Sequence, residues 1–137
     1  MNKYLLDTNV VSELRKPHPH DAVVDWLSDQ EEEQLFLSAV TMGELQAGIE
    51  RARRQDPVKA KEIEIWVDQL GGSYQILPMD TLCFREWGRM MDRKPDTLLE
   101  DGMIAATARV HRLIVATRNE RDFKHLEVRI FNPFTAS

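Results

Sequence analysis

The sequence predicts an α/β domain built on a mainly parallel five-stranded sheet that is flanked by helices. Five short apolar runs have the length of strands and carry β-branched or aromatic residues, and longer segments with helical periodicity separate most of them. Such alternation is typical of parallel sheets, whose strands are joined by helical crossovers. In chain order the five runs are KYLL, LFLSAV, YQIL, LIVAT and VRIF.

Helical patterns account for the segments between these runs. In TMGELQAGIERARR, the apolar residues Leu45, Ile49 and Ala52 repeat at i, i+4 and i+7, as on one face of a helix. The segment KAKEIEIWVDQLGG has a stronger apolar stripe, and we expect its two glycines, 71 and 72, to end the helix. Further helices are predicted over about 80–91 and 98–111, with a weaker one over 20–28.

Length and composition limit the class of protein. With 137 residues, 42% of them hydrophobic, the chain is expected to form one domain over 1–137. No apolar run approaches the ~18 residues of a membrane span, and the first acid comes too early for a signal-peptide core, so we expect a cytoplasmic protein. A net charge of -5 argues against coating nucleic acid by bulk electrostatics but permits local contact. The single cysteine, Cys83, lies where a buried residue of a helix is expected, so we predict that it belongs to the core.

Acidic side chains follow two strands of the predicted sheet. Asp7 comes directly after the first strand, and Asp122 lies in the segment after LIVAT. Ligands of open parallel sheets bind outside the carboxyl ends of the strands, so we expect both acids at the same edge. Neither turn has the glycine-rich loop that cradles a dinucleotide or a triphosphate, which argues against those enzyme classes.

Two further acids lie on predicted helices. Asp101 shares a helical stripe with apolar residues at i+3, i+4 and i+7, and no Lys or Arg lies on that stripe. Because an isolated carboxylate is costly to bury, this pattern predicts a partner for Asp101, and a metal cation is one candidate. Glu44 extends the pattern, since its i+3 and i+4 neighbours are the small residues Ala47 and Gly48.

Helix capping is the alternative interpretation for several of these acids. Asp7 could cap a short helix that follows it. Glu44 completes a capping box with Thr41, and Glu100 completes one with Thr97. Taken one at a time, these are structural roles that need no ligand.

Convergent carboxylates without clustered Cys or His form a hard-oxygen site, which suits Mg²⁺ or Mn²⁺ better than Zn²⁺. The histidines His18 and His20 are expected in exposed loop positions. An ion held between carboxylates and a phosphate can activate a water molecule and stabilise the leaving oxygen. The pattern therefore favours phosphodiester hydrolysis.

Five segments together resemble the PIN-domain ribonucleases, and among them the VapC-type toxins of prokaryotic toxin–antitoxin pairs. They are LLDTNVVSEL, SAVTMGELQAGI, EDGMIAATA, VATRNERDF and RIFNPF, which extend over nearly the whole chain. The resemblance implies a three-layer PIN-like fold and an Mg²⁺- or Mn²⁺-dependent endoribonuclease that cleaves RNA. It also implies a homodimer that is inhibited by a small antitoxin, a segment of which inserts at the active site.

The resemblance also assigns roles by motif position. It implies that four acids are catalytic and metal-binding, the last being the more variable, and that four polar residues support them. The acids are Asp7, Glu44, Asp101 and Asp122, and the supporting residues are Thr8, Asn9, Thr117 and Asn119. Gly102 is an unusual neighbour for Asp101, because glycine inside a helix costs about 1 kcal/mol relative to alanine.

Two other classes of protein remain open at this point. A receiver domain also clusters acids around Mg²⁺, but its phosphate acceptor should follow a middle strand, and no acid follows YQIL until Asp80, which resembles a helix cap. A PIN-like scaffold that binds its partner without cutting RNA is the second alternative.

Ile65 lies off the main stripe of its helix, which is consistent with a second buried face in a dimer.

Overall fold

The computed structural model describes residues 1–135, so residues 136 and 137 of the predicted domain lie outside the described residues. Its sheet has five strands in the order β3-β2-β1-β4-β5, and every neighbouring pair is parallel. This confirms the predicted sheet. The strands are β1 (Tyr4–Leu6), β2 (Leu35–Ser38), β3 (Gln75–Leu77), β4 (Ile114–Ala116) and β5 (Ile130–Phe131).

Helices connect the strands as the periodicity predicts. Short 3₁₀ turns at Glu32–Gln34 and Asp96–Leu98 precede β2 and the sixth helix. None of the helices in residues 1–135 is both long and apolar enough to cross a bilayer. The helices are α1 (Thr8–Glu13), α2 (Asp21–Ser28), α3 (Ala39–Arg53), α4 (Pro57–Ser73), α5 (Thr81–Met90), α6 (Leu99–His111) and α7 (Glu120–Lys124).

Side chains of β1 alternate between two hydrophobic cores, one on each face of the sheet. Leu5 packs with residues of α5, α6 and α7, including Ile104 and Phe123. Tyr4 and Leu6 point the opposite way and pack with residues of α1 and α2, as expected because successive strand residues face opposite sides. The fold therefore has three layers, helix, sheet and helix, as predicted.

The first strand of the chain lies at the centre of the sheet. Tyr4 is in register with Leu35 of β2 and with Ile114 of β4. The carboxyl ends of β1, β2 and β4 therefore meet at one edge of the sheet, which we call the carboxyl edge. The backbone N–H of Asp7 donates to the carbonyl of Ala116 over 2.9 Å, which fixes the first acid beside the end of β4.

The prediction that glycines 71 and 72 end their helix was wrong. Helix α4 continues through both to Ser73 and ends where Tyr74 becomes extended and leads into β3. Neither glycine has a positive φ, so neither forms the left-handed cap that favours glycine. Both are exposed, and the cost of about 1 kcal/mol for a helical glycine is small enough for the rest of the helix to offset.

Candidate active site

Asp7 lies at the carboxyl edge and is only 5% exposed. It caps α1, as the capping interpretation predicted, because its Oδ1 accepts a hydrogen bond from the backbone N–H of Thr8 over 2.8 Å. Its Oδ2 accepts from the Thr117 hydroxyl over 2.8 Å and from the Asn9 amide over 3.2 Å. Burial raises the pKa of Asp7, and the hydrogen bonds from Thr117 and from the Thr8 N–H oppose that rise. The carboxylate is held in one orientation.

Glu44 contacts the same edge from the second turn of α3. The Thr8 hydroxyl donates to its Oε1 over 2.9 Å. The predicted capping box with Thr41 was wrong, because α3 begins earlier and its N-cap is Ser38, whose hydroxyl accepts from the N–H of Val40. Since β2 leads directly into this helix, the Thr41 to Glu44 spacing falls inside the helix rather than at its start.

Asp101 and Asp122 are linked through one amide side chain. The Nδ2 of Asn119 donates to Asp122 Oδ2 over 3.0 Å and lies 3.4 Å from Asp101 Oδ2. The three stripe partners of Asp101, namely Ile104, Ala105 and Ala108, are fully buried, so the predicted stripe is confirmed. The carboxylate lies at the end of this buried stripe, where α6 meets the segment after β4.

The Thr117 hydroxyl joins the two halves of this region. It donates to Asp7 and accepts from the backbone N–H of Asn119 over 2.9 Å. Each predicted supporting residue is thus hydrogen-bonded to at least one predicted acid. The structure brings all eight predicted residues together; they are Asp7, Thr8, Asn9, Glu44, Asp101, Thr117, Asn119 and Asp122.

Proton affinities at the carboxyl edge are abnormally high. Burial raises the pKa of Glu44 to about 7, with further increases from Glu100 and Asp7. Burial likewise raises the pKa of Asp101 to about 6, and the negative charges of Asp7, Asp122 and Glu100 add to the shift. Desolvation and like charges both disfavour the ionised form of a carboxyl group. The edge is therefore a place where negative charge is concentrated at an energetic cost.

Glu100 belongs to this region, and the sequence analysis missed it. Its predicted capping box with Thr97 was wrong, because Leu98 is the N-cap of α6 and makes no side-chain capping bond. The Glu100 carboxyl instead lies within hydrogen-bonding reach of Glu44 and raises the pKa of that group. The only sequence signal was a second acid directly before Asp101, which is also what a helix N-terminus favours.

Gly102 has a packing explanation. A Cβ added there would lie 2.5 Å from Met91 Sδ and 3.3 Å from Trp87 Cδ1. The absence of a side chain allows the end of α5 to pack closely against α6, and the Trp87 indole donates to the carbonyl of Leu99 over 3.1 Å. Helix α6 is continuous through Gly102, so the unusual residue positions the helix that carries Asp101.

The donor set at the edge consists of oxygen atoms. Within residues 1–135, none of the four predicted acids has a Lys, Arg or His partner within 4.0 Å. In the same residues, no three His, Cys, Asp or Glu side chains are close enough to enclose one ion. An ion here would be held by one or two carboxylates and complete its shell with water, which is the usual arrangement for Mg²⁺ in proteins. The residues fit such an ion.

The three-layer fold and its acidic edge define a family. The PIN domain model matches residues 4–128, and the chain therefore belongs to the PIN-domain family.

Two relatives and one solved structure are similar to the chain over nearly its whole length. It is 33% identical to Toxin FitB of Neisseria gonorrhoeae, with 95% of this chain and 97% of that protein covered. It is 34% identical to VapC ribonuclease Y4jK of Sinorhizobium fredii, covering 95% of this chain and 96% of that protein. The crystal structure of FitAcB from Neisseria gonorrhoeae matches with a TM-score of 0.85 at 34% identity, covering 96% of this chain and 99% of that one.

Proposed function

We propose that this protein is an endoribonuclease that requires Mg²⁺ or Mn²⁺ and serves as the toxin of a toxin–antitoxin pair. The main observation that supports this proposal is that four carboxylates converge at one edge of the sheet, without a basic partner within residues 1–135. Similarity to a VapC ribonuclease and to Toxin FitB supports this proposal. The proposed catalytic and metal-binding residues are Asp7, Glu44, Asp101 and Asp122.

A divalent ion would supply an activated water and stabilise charge on the leaving oxygen. The chain's own groups would orient the acids. Asp7 is fixed by three hydrogen bonds, so it would meet an ion with little loss of side-chain freedom. Asn119 holds Asp101 and Asp122 on a shared amide. The Thr8 hydroxyl donates to Glu44 Oε1 and so orients that carboxyl group.

The raised pKa values support a cation site. At pH 7 the Glu44 carboxyl, with a pKa of about 7, is only partly ionised. A nearby cation favours the ionised form of a carboxyl group and lowers its pKa. A divalent ion would therefore relieve the repulsion that the chain leaves unbalanced at the carboxyl edge.

The proposed assembly is a homodimer of single-domain chains, covering residues 1–137, and each is inhibited by a small antitoxin that inserts a segment at the acidic edge. Two helices carry exposed apolar side chains that a second subunit would cover: Ile65 on α4 is 49% exposed, and Leu82 and Phe84 on α5 are 65% and 45% exposed. Light scattering of the antitoxin-free protein at micromolar concentration should give twice the monomer mass. A monomer mass would contradict the proposed dimer but not the proposed ribonuclease function.

Cleavage of total RNA tests the function directly. Purified antitoxin-free protein is incubated with total RNA and Mg²⁺ or Mn²⁺, and new 5′ ends are mapped against a control with chelator. We expect discrete new ends that require metal and that disappear in Asp7→Asn. The absence of new ends with folded wild-type protein would favour the scaffold that binds a partner without cutting RNA.

The strand order bears on the receiver-domain alternative. Strand β3, which contains most of the YQIL run, is an edge strand, and the central strand β1 is followed by Asp7. The match of the PIN domain model over residues 4–128 argues against a receiver domain. Asp80, the next acid after YQIL, caps α5 as predicted. Incubation with acetyl phosphate should leave the protein unphosphorylated.

A further inference from the structure

Arg118 is a cation at the border of the acidic edge that the proposed function does not use. It lies between Thr117 and Asn119, and its backbone N–H donates to Asn9 Oδ1 over 3.2 Å. Through Asn9 it is joined to Asp7, because the same amide group donates to Asp7 Oδ2. The backbone of Arg118 is therefore fixed relative to the carboxylates, while its side chain is exposed.

The Arg118 guanidinium is positioned by an aromatic ring. Its central carbon lies 4.5 Å from the centre of the Phe134 ring, which is the geometry of a cation–π contact. Phe134 is 7% exposed and belongs to the core that includes Leu6. The ring of His20 packs edge-on against Phe134, with the centres 5.5 Å apart. The centre of the guanidinium thus lies over a buried ring that is itself packed against its neighbours.

The turn that carries Phe134 is fixed to α7. The Phe134 N–H donates to Asn132 Oδ1 over 2.9 Å, and the amide of Asn132 donates to Glu120 Oε2 over 3.0 Å. Helix α7 also carries Asp122. The ring beneath Arg118 and the fourth acid are therefore held by the same helix.

The charged N–H groups of Arg118 are not used by the part of the chain that the structure describes. Within residues 1–135, no carboxylate lies within 4.0 Å of its guanidinium, and the side chain makes no hydrogen bond. Glu13 is near enough for the charge of Arg118 to help lower its pKa. Glu13, however, already pairs with Lys16 over 2.9 Å and accepts from the N–H of His20. Arg118 therefore presents a planar set of donors to solvent.

We propose that Arg118 is a positioning residue that binds an RNA phosphate flanking the scissile one. This inference rests on the proposed ribonuclease function. A guanidinium binds phosphate oxygens through two parallel hydrogen bonds. Contact with the Phe134 ring restricts the side chain beforehand, so less freedom is lost on binding. RNA approaching four carboxylates is repelled, and a fixed cation at their border offsets that repulsion and sets where the chain enters the site.

Steady-state cleavage at constant Mn²⁺ tests this role with Arg118→Gln, which removes the charge but keeps a long polar side chain. We expect KM to rise about tenfold, as for the loss of one charge-assisted contact, with kcat within about twofold of wild type. The slope of log kcat/KM against log salt concentration should become shallower by about 0.7. Arg118→Lys should restore the salt slope but only part of KM.

Two other variants separate specific contact from general charge. Arg54→Gln removes one exposed positive charge at the far end of α3, and we expect it to change neither KM nor the salt slope. Phe134→Leu should raise KM in the wild-type background and add little in Arg118→Gln, because the ring acts through the guanidinium. Equal melting temperatures for Arg118→Gln and wild type would establish that its fold is intact.

Several outcomes would overturn the inference. An unchanged KM and salt slope in Arg118→Gln would show that the guanidinium does not contact RNA, as would an equal effect of Arg54→Gln. A fall in kcat without a change in KM would show that Arg118 acts on the acids instead. Normal cleavage by Arg118→Gln with weakened inhibition by an antitoxin would assign the residue to that partner. Wild-type protein that cuts no RNA would contradict the proposed function itself.

Discussion

Two acids on α3, separated by fewer than two helical turns, have opposite environments. Glu44 at the carboxyl edge has its pKa raised to about 7 by burial and neighbouring acids. Glu50 has its pKa lowered, chiefly by a hydrogen bond from Arg53, and the same arginine also contacts Glu64 over 3.2 Å. Residues 1–135 supply a cation within 4.0 Å for Glu50 and none for Glu44. The environment of an acid, rather than its presence, distinguishes the candidate site.

The same contrast holds between α5 and α6. Glu86 contacts both Arg89 and Arg109 over 3.0 Å, so two cations balance the charge of this acid. Asp101 on α6 has only the amide of Asn119 as a hydrogen-bond partner within residues 1–135. Glu86, which has two arginine partners, is therefore a matched control for Asp101.

Cleavage of RNA should show the largest difference between the two environments. Asp7→Asn or Asp101→Asn should reduce the initial rate by several orders of magnitude, because each removes a charge while preserving shape, and each carboxylate would orient an ion. Glu50→Gln should cleave at the wild-type rate. Circular dichroism checks that all variants are folded. Wild-type rates for both folded aspartate variants would refute the site.

Metal should reverse the order of melting temperatures of Asp101→Asn and wild type. In chelator, Asp101→Asn should melt a few degrees above wild type, because it removes one of several repelling charges. With saturating Mn²⁺ the order should invert, since an ion that binds only the folded wild type stabilises it by about 2.7 kcal/mol at a hundred times its dissociation constant.

Control variants make the stability result specific. Glu86→Gln should not gain stability in chelator, because it leaves two arginines without their partner. A wild-type melting temperature that does not respond to Mn²⁺ would count against a shared metal site. Both measurements belong at one ionic strength and near neutral pH.

Metal-free stability should fall as pH rises toward neutrality. The folded pKa values of Asp101 and Glu44, about 6 and about 7, lie above their ordinary values of 3.8 and 4.5. The folded state therefore binds more protons, so the stabilisation is complete below about pH 4 and is lost as pH passes through 6 to 7. Chemical denaturation in chelator should show a decline on the order of 1–2 kcal/mol. Asp101→Asn should show a shallower decline, and an identical profile would contradict the assignment.

The smallest expected effects concern two glycines on packed helices. Gly102→Ala should destabilise the protein by about 1 kcal/mol, because the added carbon would press on Met91 and Trp87. Gly88→Ala on α5, where nothing lies within 4 Å, should stabilise it by up to about 1 kcal/mol. Denaturant midpoints measure both. Met91→Ala should remove most of the cost of Gly102→Ala, and a gain from Gly102→Ala alone would contradict the close approach of α5 and α6.

Local patterns predicted the strands and helices well, because alternation and helical periodicity depend only on residues that are close together in the sequence. All five strands were found, and the predicted helix over 80–91 agrees with α5, which Asp80 caps. The strand order could not be predicted from the same patterns, because it depends on which crossovers pack together. The Thr41 to Glu44 spacing gave a wrong helix start for a similar reason: the true cap, Ser38, is the last residue of β2.

The position of the candidate site was predicted from the edge rule and the resemblance, but several of its neighbours were not. Glu100 meets Glu44, and Arg118 meets Phe134, only after the chain has folded. No spacing in the sequence distinguishes these pairs from other acids, arginines and aromatics. Tertiary contacts between distant segments decide the electrostatics, and those are the features that required the structure.

The position of β1 at the centre of the sheet has a consequence for the order of synthesis. Thr117, which holds Asp7, is 110 residues away along the chain. A nascent polypeptide that ends within α6 already contains Asp7, Glu44 and Asp101, but β1 lacks its β4 neighbour and the acid lacks its hydroxyl donor. The carboxyl edge is therefore assembled only late in translation, after β4 and the Thr117 hydroxyl that follows it have emerged.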